Sequence, residues 1–279
     1  MKPDLSSARG RSFLVTGGNT GIGKATVEAL AAAGGRVLVA GRSKDKTQPV
    51  LDAIKAKHAS ADLAFVALDL GSFASIKDAA KQILDDDRPI DVLINNAGLA
   101  GSRGLTVDGL ERTIGTNHFG TYLFTQLLLP KVLASSAPRV VNVASEAHYN
   151  PKTIDFDAIR TSTSGPTGFA EYGVSKLMNV LHAKALARAH PSLTAVSLHP
   201  GVVASDVWRA VPTPFRQLIM LFMLSTEEGA YTQLHCATAN DLVSSGYYDK
   251  SRLKRPSRLA DDVALQDKLM AVSREVTGV

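Results

Sequence analysis

The stretch 12–23, with the sequence SFLVTGGNTGIG, constrains the fold of this chain more than any other. A short apolar run at 13–15 leads into closely spaced glycines and then into a helix-forming stretch at 24–33. A glycine-rich turn between a strand and a helix lets the backbone approach a ligand closely and points unpaired N–H groups at it. Because this arrangement suits a pyrophosphate, we predict a dinucleotide-binding strand–turn–helix unit.

A phosphate loop of a nucleotide-hydrolysing enzyme overlaps the same residues as an alternative. Gly18, Gly23 and Lys24 fit most of that motif. The motif also needs a hydroxyl at the next position to hold magnesium, but residue 25 is alanine. Dinucleotide binding is therefore the favoured interpretation.

Composition limits the class of protein. Hydrophobic residues make up 45% of the 279, which is enough for a large core, and Cys236 is the single cysteine, which excludes an internal disulfide framework. The net charge of +5 comes from scattered residues, so we expect no nucleic-acid partner. The polar N-terminal stretch and the absence of a long apolar run predict a soluble, cytoplasmic protein without a membrane-spanning segment.

Apolar strand-like runs alternate with helical stretches along the chain. Two helical segments are predicted across 108–134, and the longest helix is predicted at 169–189. Continuous apolar strands separated by helices indicate a parallel sheet buried on both faces. We therefore predict an α/β fold: one Rossmann-type, doubly wound domain over 1–279, with helices on both faces of the sheet. Its cofactor half would span about 10–145 and its substrate half about 146–279. The long, irregular stretches 146–170 and 205–224 follow strands, where loops border the ligand crevice of such sheets.

Three side chains between positions 145 and 176 could carry chemistry. Tyr172 and Lys176 are four residues apart on the predicted helix 169–189 and share one face. A nearby ammonium favours the phenolate and lowers the pKa of a tyrosine, which makes it a usable proton donor. Ser145 ends the fifth predicted strand and could bind a carbonyl oxygen. The alternatives are a surface pair for Tyr172 and Lys176, and a turn cap for Ser145.

The order of these motifs resembles the short-chain dehydrogenase/reductase family, and within it the retinol-dehydrogenase-like branch. The family motifs that match are TGGNTGIG at 16–23, Asp69 after the third strand, NNAG at 95–98, Asn117, Ser145, YGVSK at 172–176 and PG at 200–201. The branch-level matches are VVNVASEAH at 140–148, LHPGVV at 198–203, TEEGA at 226–230 and GYYD at 246–249.

The resemblance implies specific catalytic roles. Tyr172 would be the general acid in reduction and the base in oxidation. Lys176 would lower the tyrosine pKa and hold the nicotinamide ribose. Ser145 would polarise the substrate carbonyl, and Asn117 would keep a water in a proton relay that ends at Lys176.

The resemblance also implies a set of cofactor-binding residues along the carboxyl edge of the sheet. Asp69 would contact the adenine, although capping of the following helix is an open alternative. Besides Tyr172 and Lys176, the set comprises Gly17, Asn19, Thr20, Gly21, Ile22, Gly23, Arg42, Asp69, Leu70, Asn96, Ala97, Gly98, Pro200, Gly201 and Val203.

Arg42 bears on the choice of dinucleotide. It stands at the end of the second predicted strand, about twenty residues after the glycine turn, where an NAD-binding protein commonly has a carboxylate. No acidic residue follows before Asp45. Because an arginine there can bind a 2′-phosphate, we predict NADP(H) rather than NAD(H).

The segment 205–225 is apolar and interrupted by prolines. It could be a buried packing helix, a lid over an apolar substrate, or a segment that touches a membrane surface through 214–224. Its run of seven apolar residues at 218–224 has no polar face, which is more than one packing stripe needs. We favour the lid.

The sequence thus predicts an NADP(H)-dependent oxidoreductase that interconverts an apolar aldehyde or ketone and its alcohol. Two alternatives stay open: another reaction on the same fold, such as an epimerase, a dehydratase or a protochlorophyllide-type reductase, and a non-catalytic redox sensor. The histidines are scattered without metal-ligand spacing, so we predict no metal site, and Cys236 is expected in the core. The oligomeric state is left open.

Overall fold

The computed structural model describes residues 2–163, 165, 167–201 and 225–279. Strands within these ranges form one sheet. They are β1 (Ser12–Thr16), β2 (Arg36–Gly41), β3 (Leu63–Ala67), β4 (Val92–Asn95), β5 (Arg139–Val143), β6 (Thr194–His199), β7 (Tyr247–Asp249) and β8 (Arg252–Lys254). Their order in the sheet is β3-β2-β1-β4-β5-β6-β7-β8, and all neighbours are parallel except β7 and β8.

Helices connect the parallel strands. They are α1 (Gly21–Ala32), α2 (Lys44–Lys57), α3 (Phe73–Leu84), the short α4 (Arg112–Ile114), α5 (Thr121–Leu133), α6 (Phe169–Ala189), α7 (Thr226–Thr238) and α8 (Val263–Thr277). A π-helical turn, Gly115–Gly120, joins α4 to α5. No helix among the described residues combines the length and the apolar character needed to cross a bilayer.

The core lies on both faces of the sheet because the central strands are apolar along their whole length. Every residue of β1 and β5 is buried. On one face the strands pack against α1, α2 and α7, and on the other against α3, α5 and α6. α8 packs outside α6 and closes a third cluster. The prediction of a doubly wound, single-domain α/β fold is confirmed.

The strand order reverses between β1 and β4, which places a crevice at the carboxyl ends of these strands. Four predicted site segments begin at this edge. They follow β1, β4, β5 and β6, and they contain the glycine turn, Asn96–Gly98, Ser145 and Pro200 respectively. The topology therefore brings the predicted cofactor and catalytic residues to one side of the sheet.

Two details of the fold differ from the sequence prediction. The hairpin of β7 and β8 was not expected, because each strand has three residues and gives no periodic signal. Two helical segments were expected across 108–134, but regular helix begins only at Arg112 and passes through the π-helical turn. Cys236 is fully buried in the core, as predicted.

Candidate active site

The glycine turn after β1 is tight and leads directly into α1. Gly17 has a φ of +67°, which favours glycine. A Cβ on Gly23 would lie 2.2 Å from the Gly17 carbonyl oxygen and 2.6 Å from Asn96 Nδ2, so only glycine fits there. Thr20 is the N-cap of α1, yet its side chain makes no capping bond to the helix N–H groups. The turn can therefore offer these N–H groups to an anion.

Asn96 and Thr16 hold this turn against the neighbouring strand. The Thr16 hydroxyl oxygen accepts hydrogen bonds from the N–H groups of Asn96 (3.0 Å) and Ala97 (2.9 Å). Asn96 Nδ2 donates back to the carbonyl oxygens of Thr16 (2.8 Å) and Gly17 (3.2 Å). These bonds fix two predicted cofactor-binding segments to each other. The predicted site residues did not include Thr16.

The remaining predicted cofactor residues are distributed along the same edge. Arg42 is exposed directly after β2. Asp69 Oδ1 accepts the N–H of Gly71 at 2.9 Å, whereas the cap of α3 is Ser72. The alternative of Asp69 as the helix cap is thus wrong, although the carboxylate does bind its own loop. Asn19, Thr20, Gly21 and Ile22 form the glycine turn and the start of α1, Leu70 is buried next to Asp69, and Pro200 and Gly201 follow β6.

Asn117 lies in the π-helical turn and is completely buried. Its Oδ1 accepts the N–H of Leu99 at 2.9 Å, and its Nδ2 donates to the Leu99 carbonyl oxygen at 2.9 Å. Nδ2 also donates to the Ser175 hydroxyl at 3.0 Å. The Ser175 hydroxyl in turn donates to the Tyr172 carbonyl oxygen at 2.8 Å. Asn117 therefore links the loop after β4 to the helix that carries Tyr172.

Lys176 is buried in α6 with its ammonium directed towards the strand edge. Nζ donates to the Val143 carbonyl oxygen at 2.9 Å. A Cβ on Gly98 would lie 3.4 Å from Nζ and 3.3 Å from Asn117 Oδ1, so Gly98 lies against both side chains. Burial lowers the pKa of Lys176 to about 8. The lysine can consequently exchange a proton near neutral pH.

Tyr172 lies one helical turn before Lys176, and its ring centroid is 5.6 Å from Nζ. Burial raises the pKa of Tyr172, and a hydrogen-bonding interaction with the Ser145 side chain lowers it by a smaller amount. The net direction is opposite to the one expected from the Tyr172–Lys176 pair. The reason is geometric, because the ammonium faces the ring and binds Val143 while desolvation acts on the phenol.

Ser145 caps a turn, which is one of the two roles that the sequence left open, and its hydroxyl stays available for the other. It is the N-cap of the turn Glu146–Tyr149, and its Oγ accepts the N–H of Ala147 at 3.2 Å. Because this bond uses a lone pair of Oγ, the hydroxyl hydrogen can still be donated. Ser145 and Tyr172 thus place two O–H groups side by side. A carbonyl oxygen between them would accept both hydrogen bonds.

The structure places Asn117, Ser145, Tyr172 and Lys176 close together. Val203 and the segment 205–225, apart from its last residue Ser225, lie outside the described residues. Sequence reasoning missed Ser175 and the π-helical turn that carries Asn117. Gly120 ends this turn and must be glycine, since a Cβ there would lie 2.1 Å from the Leu70 carbonyl oxygen. π-Helical turns of this kind often occur at functional sites.

Known proteins resemble this chain over almost its whole length. A family profile described as short chain dehydrogenase matches residues 11–156. Human retinol dehydrogenase 13 is 34% identical, covering 99% of this chain and 87% of the relative. Retinol dehydrogenase 12 of Mus musculus is 36% identical, covering 97% and 87% respectively.

The solved structures agree with this relationship. An uncharacterized protein from Mycobacterium paratuberculosis superposes with a TM-score of 0.80 at 30% identity, covering 99% of this chain and 96% of that chain. A short-chain dehydrogenase from Shigella flexneri, complexed with NADP, has the same fold with a TM-score of 0.72 at 20% identity, covering 89% and 100% respectively. The glycine turn, the buried lysine and these likenesses lead to one conclusion: the chain belongs to the short-chain dehydrogenase family of NAD(P)-binding oxidoreductases, in its retinol-dehydrogenase-like branch.

Proposed function

We propose that this protein is an NADP(H)-dependent oxidoreductase that interconverts an aldehyde or ketone on an apolar molecule and the corresponding alcohol. The observation that carries the proposal is that the hydroxyls of Ser145 and Tyr172 lie close to each other. Lys176 is buried, and its ammonium faces the ring of Tyr172. The glycine turn after β1 lies on the same edge of the sheet and suits the pyrophosphate of a dinucleotide. A bound nicotinamide dinucleotide would supply the hydride.

Ser145 and Tyr172 act on the oxygen of the substrate carbonyl. Both hydroxyls donate to this oxygen, which makes the carbonyl carbon more electrophilic. When the carbon gains a hydride in reduction, the oxygen takes the phenolic proton of Tyr172 and an alcohol forms. In oxidation the phenolate takes the proton of the alcohol, and the same residue acts as the base.

Lys176 and Asn117 support the proton transfer that Tyr172 carries out. The buried ammonium faces the phenol ring, with Nζ 5.6 Å from the ring centroid, and lies where it can return a proton to the phenolate that remains after reduction. Because its pKa is lowered to about 8, Lys176 can hand on a proton rather than hold it permanently. Asn117 sits next to Gly98 beside Nζ, which is where a relay to solvent would continue.

Two other functions were left open by the sequence. An epimerase, a dehydratase or an enone reductase could use the same tyrosine and lysine. The proximity of the Ser145 hydroxyl to the phenol favours a carbonyl oxygen as the acceptor. A redox sensor would bind a dinucleotide but would need neither a buried lysine nor the Asn117–Ser175 link.

A substrate screen tests the proposal directly. Purified protein is mixed with NADPH and a panel of aldehydes, ketones and enones, and the loss of absorbance of the reduced nicotinamide is followed. We expect turnover with carbonyl compounds, and alcohol as the product by mass spectrometry. Reduction of the carbon–carbon double bond of enones would support another reaction type. Tight NADPH binding without turnover on any compound would support the sensor.

The cofactor choice depends on Arg42. Its guanidinium is exposed after β2, and no salt bridge joins it to a carboxylate of the described residues. It can therefore meet the 2′-phosphate that distinguishes NADP from NAD. We expect Arg42→Ala to raise the KM for NADPH about tenfold, because one charge-assisted hydrogen bond is worth roughly 1.5–3 kcal/mol. The KM for NADH should change little.

Steady-state kinetics with both cofactors check this expectation. Arg252→Ala is the matched control, because Arg252 is also an exposed arginine but lies at the edge strand β8. The control should leave both KM values unchanged. An equal rise of the two KM values in Arg42→Ala would show that the guanidinium does not distinguish the 2′-phosphate of NADPH from the 2′-hydroxyl of NADH.

The apolar substrate class rests on the segment 205–225, which apart from Ser225 lies outside the described residues and stays a proposal from sequence. If it is a lid, Phe215→Ser or Leu218→Ser should raise KM for long-chain carbonyls by about tenfold. Burying an apolar side chain against substrate contributes roughly 1.5–3 kcal/mol. The KM for a short aldehyde should stay near that of the parent. A uniform change across chain lengths would contradict the lid.

We further propose a cytoplasmic enzyme with a small-molecule substrate and no nucleic-acid partner. The single free cysteine, Cys236, fits a reducing compartment, and the scattered charges argue against a nucleic-acid surface. Contact of 214–224 with a membrane surface is compatible with it, since apolar substrates partition into lipid. Sedimentation with and without liposomes would distinguish a free enzyme from a peripherally bound one.

A further inference from the structure

A buried histidine lies in the turn Glu146–Tyr149, directly after Ser145. His148 has no exposed surface. Its Nδ1 is 2.7 Å from the carbonyl oxygen of Ser145, and its Nε2 is 3.1 Å from the backbone nitrogen of Ser257. The imidazole therefore bridges the catalytic serine and the segment that follows β8. The mechanism described above gives this ring no role.

The two partners fix the tautomer of His148. A carbonyl oxygen can only accept a hydrogen bond, so Nδ1 must carry a hydrogen and donate it to Ser145. The backbone N–H of Ser257 can only donate, so Nε2 must be unprotonated and accept it. The ring is consequently neutral. Burial lowers the pKa of His148 to about 4, which agrees with a neutral ring at physiological pH.

Aromatic packing prevents the His148 ring from turning away. Its centroid is 4.0 Å from that of Tyr149 and 4.5 Å from that of Tyr247 on β7. The Tyr149 hydroxyl donates to the Arg255 carbonyl oxygen at 2.6 Å, which is a second tether between the same two segments. His148 is thus held on one side by the sheet and on the other by residues 255–257.

The carbonyl oxygen of Ser145 accepts two hydrogen bonds from His148, one from the ring and one from its N–H at 3.1 Å. Ser145 has a ψ of 160°, and this angle sets where its carbonyl oxygen points relative to its side chain. Fixing the carbonyl therefore fixes the Cα–Cβ bond of Ser145, and the hydrogen bond from the Ala147 N–H to Oγ restrains the hydroxyl about that bond. Without the ring, the N–H bond alone would have to hold the residue.

We propose that His148 is a positioning residue that holds the Ser145 hydroxyl at the phenol of Tyr172 by donating its Nδ1–H to the Ser145 carbonyl oxygen. The inference rests on the proposed function, because it assigns His148 an effect on carbonyl turnover. The Nδ1–H donated to Ser145 is the essential contact, and the Ser257 bond orients the ring.

Two substitutions separate these contacts. In His148→Asn, the side-chain amide can occupy the place of Nδ1 and still donate to Ser145, while the acceptor for Ser257 is lost. In His148→Gln, the longer amide can reach the place of Nε2 and accept from Ser257, while the donor to Ser145 is lost. We expect His148→Gln to lower kcat about tenfold, since small misplacements of a reacting group are costly. His148→Asn should keep most of the parent kcat.

Three further measurements separate positioning from a loss of stability. The Kd for NADPH should be unchanged in both variants. In a Ser145→Ala background, His148→Gln should cause no additional loss of kcat, because the effect runs through the serine. The apparent pKa of alcohol oxidation should rise in His148→Gln, since the interaction with Ser145 lowers the pKa of Tyr172. Tyr149→Phe, which removes only the second tether, is the control and should leave kcat unchanged.

Equal losses of kcat in the asparagine and glutamine variants would overturn the proposal. So would a loss from His148→Gln that persists in the Ser145→Ala background, because it would show an effect independent of the serine. A parent kcat in His148→Gln, with Tyr172→Phe inactive, would refute the role of His148 and leave the proposed function intact. A parent enzyme without turnover on any carbonyl compound would instead overturn the proposed function, and the role of His148 with it.

Discussion

Tyr172→Phe is expected to lose a factor of roughly 10²–10⁴ in turnover, the range that general acid–base groups contribute. The phenol hydroxyl is the group that passes the proton to the substrate oxygen, and phenylalanine keeps the ring while removing that proton. Ser145 and Lys176 remain in place but cannot substitute, since Lys176 Nζ is directed to the Val143 carbonyl oxygen and the face of the ring. The measurement is kcat for carbonyl reduction at saturating NADPH.

Cofactor affinity and fold should survive this substitution. The NADPH Kd of Tyr172→Phe, measured by fluorescence titration, should lie within about threefold of the parent value because no phosphate contact depends on the phenol. Tyr248→Phe is the matched control. Tyr248 is a buried tyrosine whose hydroxyl accepts the N–H of Val243 at 2.8 Å, away from the site.

The control should lose about 1 kcal/mol of the free energy of unfolding, the usual cost of one hydrogen bond, and keep its turnover. The Tyr172→Phe enzyme would therefore differ from the control chiefly in its rate. Parent turnover in Tyr172→Phe would remove the tyrosine from the chemistry and with it the proposed acid–base role.

The layers of the fold were predictable from the sequence because the central strands are apolar on both faces. A buried parallel strand reads as a continuous apolar run, as in β1 and β5, and the helix predicted at 169–189 matches α6 (Phe169–Ala189). β7 and β8 were missed since a three-residue strand has no periodicity to detect. They pair because the sheet edge at β6 offers hydrogen-bonding groups, which is a tertiary effect.

The candidate site was predictable in its residues but not in its contacts. Motif order identified Asn117, Ser145, Tyr172 and Lys176 because each motif follows a particular strand or occupies a particular helix face. The direction in which the pKa of Tyr172 shifts could not be predicted from the i, i+4 spacing of Tyr172 and Lys176. Spacing gives proximity, whereas the pKa depends on burial and on where the ammonium points.

The contacts that support the site were also beyond sequence reasoning. The Thr16 side chain is hydrogen-bonded to a residue 80 positions away, and the Ser175 side chain to a residue 58 positions away. A lone threonine or serine carries no pattern that reveals such a partner. These long-range bonds exist only after the parallel strands have brought the loops to one edge.

Gly23→Ala is expected to weaken NADPH binding about 100-fold, because charge-assisted hydrogen bonds are worth roughly 1.5–3 kcal/mol each and more than one would be displaced. The added Cβ would lie 2.2 Å from the Gly17 carbonyl oxygen and 2.6 Å from Asn96 Nδ2. Neither neighbour can yield easily. The first is backbone, and Asn96 Nδ2 already donates to the carbonyl oxygens of Thr16 and Gly17. The turn and the first turn of α1 must therefore separate, which moves the N–H groups that would receive the pyrophosphate.

The same clash should cost about 1–3 kcal/mol of the free energy of unfolding, the usual cost of an overpacked site. Gly165→Ala is the control, since a Cβ at Gly165 would meet no atom of the described residues within 4 Å. Isothermal titration with NADPH and urea denaturation measure the two effects separately. If Gly23→Ala loses stability while its NADPH Kd equals that of Gly165→Ala, the turn packs the helix onto the sheet and the phosphates bind elsewhere. If the NADPH Kd of Gly23→Ala rises by more than the loss of folded protein can explain, the turn itself contacts the pyrophosphate.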